Sequence, residues 1–259
     1  MAFTCCWDRD GTSTQMLNEV IAMSDGIYTA LSGAMVMDQN LEILSNNLAN
    51  VSTPGFKAQR PVFESVLVRA ENAIEDRSDV QVAQLGSDMT QGDLIETGND
   101  LDMALNGEGF FVVNGPGGQP QYTRRGLMSL DTDRRLTVGG LPLRAEGGGD
   151  LVIPDQSYIY VEPDGGIYAN DELVGQLEVV RFDAPEDLRP VGGGFFEGNG
   201  AQPADDFDIL QGYAEGSNVN PIWGMTELIR TTRVFEATQK AIQAYKDIDR
   251  TLATEVGRY

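Results

Sequence analysis

The two ends of the chain share one pattern of apolar residues, and the long stretch between them has another. In residues 27–51 and 221–256, apolar side chains recur at alternating steps of three and four, the spacing that places them on one face of an α-helix. The middle is rich in glycine and acidic residues and contains short β-branched and aromatic runs. The pattern predicts a long helix at each end of a β-rich body.

The first helix is bounded by ordinary start and stop signals. We expect it to begin near Ser24 or Asp25, either of which can cap free amide groups at a helix start. It should end at residues 52–55 (STPG), because the residue before a proline avoids the helical region and Pro-Gly favours a tight turn. About 25 residues at 1.5 Å each give a rod of roughly 37 Å.

The last helix has a sharper start. Asn218 and Asn220 are candidate caps, and Pro221 suits the first helical position because its missing donor would be unpaired there. Isolated helices gain most of their stability by burying an apolar face, so each helix needs a partner. The partner is either the other helix or another copy of the chain, and the alternative is that each stripe is an ordinary core face. We predict that the two helices pair as a coiled-coil-like element and that their stripes form an assembly interface. The predicted interface residues are Ile27, Leu31, Leu41, Leu44, Leu48, Val51, Met225, Leu228, Phe235, Ile242, Tyr245, Leu252 and Val256.

The middle of the chain reads as antiparallel β structure. Residues 109–113 (GFFVV), 157–161 (SYIYV) and 177–182 (LEVVRF) are short strand-like runs bounded by turn residues. The predicted fold class is therefore α+β, with a central antiparallel all-β domain inserted between two terminal helices. The predicted divisions are a disordered extension at 1–22, the first helix at 23–56, an extended arm at 57–99, the β domain at 100–210 and the last helix at 211–259.

The charge of the chain limits its partners. The formal net charge is −22, and residues 57–220 alone carry eleven basic and 29 acidic residues. Nucleic acids and anionic lipid surfaces are bound by lysine and arginine, so an acidic body would be repelled by both. We expect no nucleic-acid partner and no membrane insertion.

Cofactor chemistry has little support in the residue types present. The chain has no histidine, and both cysteines, Cys5 and Cys6, lie within the first ten residues. The commonest general base and metal ligand is thus missing, which disfavours zinc sites and Ser-His-Asp or Cys-His nucleophiles in their usual forms. We expect no cofactor, no metal and no catalytic residue.

Several acidic and glycine-rich runs could be mistaken for sites. Residues 99–102, 131–133 and 205–208 offer carboxylates without the ligand order of a calcium loop, and are interpreted as turns. The GEG run at 107–109 precedes a strand and so lacks the context of a dinucleotide-binding fingerprint. Glu162 and Asp164 could be imagined as a glycosidase pair, although a Pro-Asp-Gly-Gly turn explains Asp164 better.

The first 22 residues lack the basic start and continuous apolar run of a secretory signal. The chain is therefore expected either to stay in the cytoplasm or to leave by a route without such a signal.

Two long motifs at opposite ends of the chain resemble the axial proteins of the bacterial flagellum, the family of rod and hook subunits. Residues 27–34 (IYTALSGA) and 45–57 (SNNLANVSTPGFK) resemble its N-terminal signature, and residues 212–220 (GYAEGSNVN) resemble its C-terminal one. Residues 107–113 and 122–126 resemble its β domain. The motif residues singled out are Asn46, Asn47, Asn50, Thr53, Pro54, Gly55, Phe56, Ser217, Asn218 and Val219.

The resemblance implies a structural protein and not an enzyme. Members of this family leave the cell through the flagellar type III export apparatus and polymerise through their terminal helices into a hollow rod that crosses the periplasm and carries torque to the hook. The implied partners are other rod subunits, rod-associated basal-body proteins and the export apparatus. Within the family the chain is most like a proximal rod subunit. The alternatives are a distal rod subunit and, from another class, a secreted acidic carbohydrate-active enzyme.

Overall fold

A computed structural model of the chain describes residues 11–68, 77–155 and 158–256. In this part of the chain two long helices, α1 (Gly11–Ala49) and α2 (Pro221–Val256), lie at either end of eighteen short strands. The α+β class and a long helix at each end of the β structure are as predicted. The predicted strand at residues 109–113 is also present, as Phe110–Asn114.

The strands are β1 (Gln59–Val68), β2 (Arg77–Ser87), β3 (Leu94–Glu96), β4 (Met103–Gly107), β5 (Phe110–Asn114), β6 (Pro120–Thr123), β7 (Met128–Leu130), β8 (Leu136–Val138), β9 (Leu141–Pro142), β10 (Ile159–Val161), β11 (Gly166–Ala169), β12 (Glu172–Gln176), β13 (Val179–Arg181), β14 (Arg189–Gly192), β15 (Phe195–Glu197), β16 (Gln202–Pro203), β17 (Phe207–Gln211) and β18 (Tyr213–Glu215).

The start of α1 differs from the prediction. The helix begins at Gly11 and not near Ser24 or Asp25, so residues 11–22 are helical where an extension was predicted. No proline interrupts residues 11–49, and a helix propagates at little cost once it is nucleated. The weak apolar pattern before Ser24 was therefore a poor reason to predict that the helix begins there. Residues 1–10 of the predicted extension lie outside the described residues.

The start of α2 follows the predicted chemistry. Pro221 is the first helical residue, and the Oδ1 atom of Asn220 accepts hydrogen bonds from the backbone N–H groups of Ile222 and Trp223, each at 3.1 Å. These bonds satisfy two amides that have no partner within the helix. Of the two candidate caps, Asn220 therefore takes this role.

The strands pair in antiparallel fashion wherever their register is described, as predicted. The largest sheet has six strands in the order β14-β15-β6-β5-β13-β16, and two three-stranded sheets are β10-β11-β12 and β7-β8-β9. The pairs β3–β18 and β4–β17 join residues that follow the first helix to residues that precede the last one. The segment that leads into α2 therefore lies beside the segment that follows the first helix.

The β body encloses one main apolar core. Its largest fully buried members include Phe111, Met103, Leu105 and Ile167. A smaller cluster on the other face of β5 contains Phe110 and Tyr122. Successive residues of β5 point to opposite faces of the sheet. Phe111 and Val113 belong to the main core, and Phe110 and Val112 belong to the smaller cluster. The strand is therefore buried on both faces.

The chain divides into two compact units. One contains residues 43–62 and 84–227 and holds the β body together with the end of α1 and the start of α2. The other contains residues up to 42, residues 63–83 and residues from 228 onward, and so includes most of both helices. The strand β2 (Arg77–Ser87) occupies part of the stretch for which an extended arm was predicted. The predicted domain limits themselves stay a prediction.

Candidate assembly site

A buried ionic cluster joins the two family motifs to the β body. The Nζ atom of Lys57, which ends the N-terminal motif, donates to the Oε1 atom of Glu215 at 2.5 Å and to the carbonyl oxygen of Thr90 at 2.7 Å. The side chains of Lys57 and Glu215 are 1% and 0% exposed. The Nη1 atom of Arg124 lies 3.5 Å from the other oxygen of Glu215. One carboxylate therefore binds cations from two distant segments.

The surroundings of the cluster satisfy most of its remaining polar groups. The backbone N–H of Gly92 donates to Oε1 of Glu215 at 3.0 Å, and the Nη2 atom of Arg124 donates to the carbonyl of Gly107 at 2.8 Å. The Arg124 guanidinium also lies 5.3 Å from the centroid of the Phe110 ring, a cation–π contact. Hydrogen bonds of this kind are what make buried charges tolerable.

Burial also sets the ionisation of the two cations. Desolvation lowers the pKa of Lys57, against the opposing effect of Glu215, which favours the ammonium. Desolvation likewise lowers the pKa of Arg124, again opposed by Glu215. The carboxylate is therefore the group that keeps both cations charged inside the protein.

Two motif asparagines fix the segment that follows the first helix. The Oδ1 atom of Asn218 accepts the N–H of Ala58 at 2.7 Å, and its Nδ2 donates to the carbonyl of Asp88 at 2.8 Å. Asn47 accepts the N–H of Gln59 and donates to the carbonyl of the same residue, each at 2.8 Å. An aspartate could accept but not donate in these positions, so the amide is the group that fits.

Two glycines allow close backbone approach beside the cluster. Gly55 has φ 69°, and a Cβ atom there would lie 2.6 Å from the backbone of Arg125. Its N–H donates to the carbonyl of Glu215 at 2.7 Å. At Gly126 a Cβ atom would lie 1.7 Å from the carbonyl oxygen of Met103. Neither position has room for a side chain, which gives a physical reason for glycine at both.

Other motif residues make local contacts at the two turns. Thr53 Oγ1 donates to Asn50 Oδ1 at 3.2 Å, and Asn50 Nδ2 donates to the carbonyl of Asn46 at 2.9 Å, so these side chains finish the last turn of the helix. The Ser217 hydroxyl accepts the N–H of Val219 at 3.3 Å. Pro54 lies in the turn between Thr53 and Gly55.

The predicted interface residues on α1 differ in exposure. Leu44 is buried, Leu41 and Leu48 are half-buried, and Val51, just beyond the helix, is also half-buried. Leu31 is 48% exposed. Ile27 lies outside the residues whose side chains are described. Part of this stripe is thus covered within the chain itself.

On α2 the apolar residues form two sets. Leu228, Phe235 and Ile242 are half-buried, whereas Met225 and Tyr245 are exposed. The side chains of Leu252 and Val256 are not described. Further exposed apolar residues, which the predicted stripe omitted, are Ile222, Trp223, Ile229, Val234 and Ile248. The steps from Ile222 to Met225 to Ile229 are three and four, so a second helical stripe was present in the sequence.

The acidic runs at 99–102 and 131–133 lie in turns, as predicted. The run at 205–208 continues into β17 (Phe207–Gln211), so its interpretation as a turn was wrong for Asp208, which pairs with Asn106 of β4. Oδ1 of Asp131 accepts the backbone N–H groups of Asp133 and Arg135 at 2.9 and 2.8 Å, and Oδ1 of Asp164 accepts that of Gly166 at 3.1 Å. Among the described residues, no group of three or more histidine, cysteine or acidic residues is placed to hold a metal ion. Over the same part of the chain, neither helix has a stretch long and apolar enough to cross a membrane.

Sequence reasoning did not identify the ionic cluster. Lys57 and Glu215 are 158 residues apart, and no local spacing connects them. Both residues do stand inside or beside the two family motifs, and Arg124 stands in the β-domain motif at residues 122–126. The motifs were therefore the one signal that could have pointed to a contact between the ends.

Three segments of the chain match known protein families. Residues 27–57 match the family described as flagella basal body rod protein, and residues 104–169 match the D1 domain of the flagellar hook proteins FlgE/F/G. Residues 210–255 match the C-terminal region of the flagellar basal body rod proteins FlgEFG. The first and last of these segments contain the predicted N- and C-terminal signatures.

Full-length relatives give the same result. The flagellar basal-body rod protein FlgF of Caulobacter vibrioides is 32% identical over 244 residues, which cover 91% of this chain and 99% of the relative. FlgF of Salmonella typhimurium is 34% identical, covering 85% of this chain and 93% of the relative. FlgG of Buchnera aphidicola is 32% identical over 85% of this chain and 95% of the relative. The chain therefore belongs to the flagellar basal-body rod protein family, whose members are structural subunits of the rod and not enzymes.

Proposed function

We propose that the chain is a subunit of the proximal rod, that the flagellar type III apparatus exports it without a cleaved signal, and that it polymerises through its terminal helices. The FlgF relatives support a proximal position, because the family resemblance identifies the F subunit with the proximal rod. The FlgG relative keeps a distal position as the alternative. The localisation of a labelled chain along the rod distinguishes the two.

The observation that carries the assembly proposal is the exposed apolar surface of α2. Ile222, Met225 and Ile229 are 78%, 53% and 54% exposed and follow one another at helical steps. An exposed apolar stripe on a helix lowers solubility unless another protein surface covers it. We propose that α1 and α2 pair as a coiled-coil-like element and that neighbouring subunits cover what remains exposed.

Assembly by such helices couples folding to binding. A helix that is unstable alone and stable among neighbours lets a subunit travel through a narrow export channel unfolded and order when it reaches its site. The free monomer should then have a folded β body and disordered ends. Limited proteolysis of the monomer tests this, and protection of residues 27–51 and 221–256 before assembly contradicts it.

The ionic cluster suits a subunit that carries torque. Lys57 lies eight residues after the end of α1, and Glu215 lies six residues before the start of α2. The Lys57–Glu215 pair and the Asn218 hydrogen bonds tie both connections to the β body. Force applied to either helix therefore reaches the body through short, buried links and not through a flexible tether.

The test of the proposed function is deletion of the gene, with and without a plasmid copy, followed by swimming assays and electron microscopy of basal bodies. We expect the deletion strain to lack complete rods and to be non-motile, and the plasmid to restore both. Complete rods and normal swimming in the deletion strain contradict the proposal.

A further inference from the structure

A cavity of about 180 Å³ opens in the unit formed by residues 43–62 and 84–227. Motif residues at the end of α1 and in the turn that follows, among them Asn46 and Thr53, line one side. The β14–β15 hairpin at residues 190–196, together with Arg125, lines the other. A water takes up about 30 Å³ in the liquid, so the cavity has room for the end of one side chain.

The lining has an unusual charge for this chain. The protein has 40 acidic and 18 basic residues, yet the described residues that line the cavity include Lys57 and Arg125 and neither aspartate nor glutamate. The other polar lining groups are amides and hydroxyls. The cavity is therefore a cationic site in an anionic protein.

The charges behind the cavity do not cancel this excess. Glu215 is shared between Lys57 and Arg124. Asp88, the other carboxylate whose charge acts on Lys57, is paired with Arg60. Glu108 is a third carboxylate, and its charge acts on Arg124. Three carboxylates thus balance Lys57, Arg124 and Arg60, and the excess positive charge at the cavity is that of Arg125.

Two buried polar atoms beside the cavity lack hydrogen-bond partners within the described part of the chain. They are Nε of Arg125 and Oγ of Ser87, a residue that is 6% exposed. Arg125 is oriented by one bond, from its Nη1 to the carbonyl of Gly193 at 2.9 Å. None of the ion pairs formed among the described residues includes Arg125. A buried donor without an acceptor is unfavourable, so these atoms favour a ligand that accepts hydrogen bonds.

We propose that this cavity binds the carboxylate of an aspartate or glutamate side chain from a second copy of this chain in the assembled rod. A carboxylate has the charge that the lining lacks, and it accepts paired hydrogen bonds from a guanidinium. A second copy supplies it, since residues 57–220 carry 29 acidic residues against eleven basic ones. The contact also lessens the repulsion between two such acidic bodies packed side by side. This inference rests on the proposed function, because it requires that copies of the chain meet in a rod.

The first test uses the deletion strain in which the wild-type chain restores rods, so that the proposed function is established before the cavity is examined. Arg125→Gln is compared with Arg125→Lys and with Arg181→Gln, which removes an exposed arginine from β13 of the same β body. We expect Arg125→Gln to reduce complete rods at least tenfold, with secretion and the urea midpoint of the monomer unchanged. Arg125→Lys should keep most rods and Arg181→Gln all of them. Wild-type rod numbers with Arg125→Gln overturn the proposal.

A second measurement does not depend on the folding of an arginine variant. The photoreactive change Pro190→p-benzoylphenylalanine is placed at the cavity in a chain that keeps Arg125. Irradiation of isolated rods should join position 190 to an acidic segment of a second copy, as identified by mass spectrometry. Cross-links to other proteins only, or no cross-link between subunits, contradict the proposal. A failure of the wild-type chain to enter rods at all contradicts the proposed function instead.

Discussion

Glu215→Gln removes the charge that two buried cations share. Lys57 is 1% exposed and Arg124 is 5% exposed, so neither can turn to water when the carboxylate is lost. Breaking a buried ion pair from one side costs about 3–5 kcal/mol, since it leaves an uncompensated buried charge. The glutamine oxygen can still accept one of the hydrogen bonds from Lys57 or Gly92, which keeps the loss within this range.

Urea unfolding of the purified monomer, followed by circular dichroism of the β body, measures the loss. With a slope of about 2 kcal/mol per molar urea, a loss of 3–5 kcal/mol lowers the midpoint by about 1.5–2.5 M. Glu172→Gln is the matched control, because it makes the same change at an exposed residue of β12. The control should change stability by about 0.5 kcal/mol or less. If Glu215→Gln and the control unfold at the same midpoint, the cluster is not the link described here.

Burial lowers the pKa of Lys57 below its usual 10.5. Between the folded-state pKa and 10.5 the unfolded chain therefore binds more protons than the folded chain, and the stability of the wild-type protein rises with pH. The urea midpoint of Lys57→Met should lack this rise, and equal pH slopes for the variant and the wild type contradict it. Gly126→Ala places a methyl group 1.7 Å from a backbone oxygen and should cost about 2–3 kcal/mol in urea unfolding. Gly149→Ala, in the same β body and with open space around its Cβ position, should cost about 0.5 kcal/mol or less. The double change Met225→Gln and Ile229→Gln alters exposed residues, so it should change the free energy of unfolding of the monomer by about 0.5 kcal/mol or less. It should reduce the number of rods and the swimming speed, and a normal number of rods contradicts the proposed helix interface.

The elements that the sequence predicted well are those set by local chemistry. The α2 start rests on Asn220 and Pro221, which act within one helical turn. The strand at residues 110–114 rests on a run of aromatic and β-branched residues bounded by glycine and asparagine. The predicted start of α1 was wrong, because a helix continues through a weakly patterned segment when no residue breaks it. Capping and periodicity signals predict a helix end poorly where one more helical turn costs little free energy.

The site depends on contacts that no local rule describes. Lys57, Arg124 and Glu215 meet because β3–β18 and β4–β17 bring the end of the body back to its beginning. Before that topology is known, a lysine after Pro-Gly-Phe and a glutamate in Tyr-Ala-Glu-Gly look like solvated surface charges. The family motifs marked the right segments, but the carboxylate that connects them became evident only from its burial.

The proposed role of the chain depends on assembly through its terminal helices. The most direct test is electron cryomicroscopy of isolated basal bodies from a strain that carries one gene for this chain. We predict density for the chain in the proximal rod, with α1 and α2 paired along the inner wall and the β body outside them. Absence of the chain from the rod, or helices lying unpaired on the outer surface, contradicts the account.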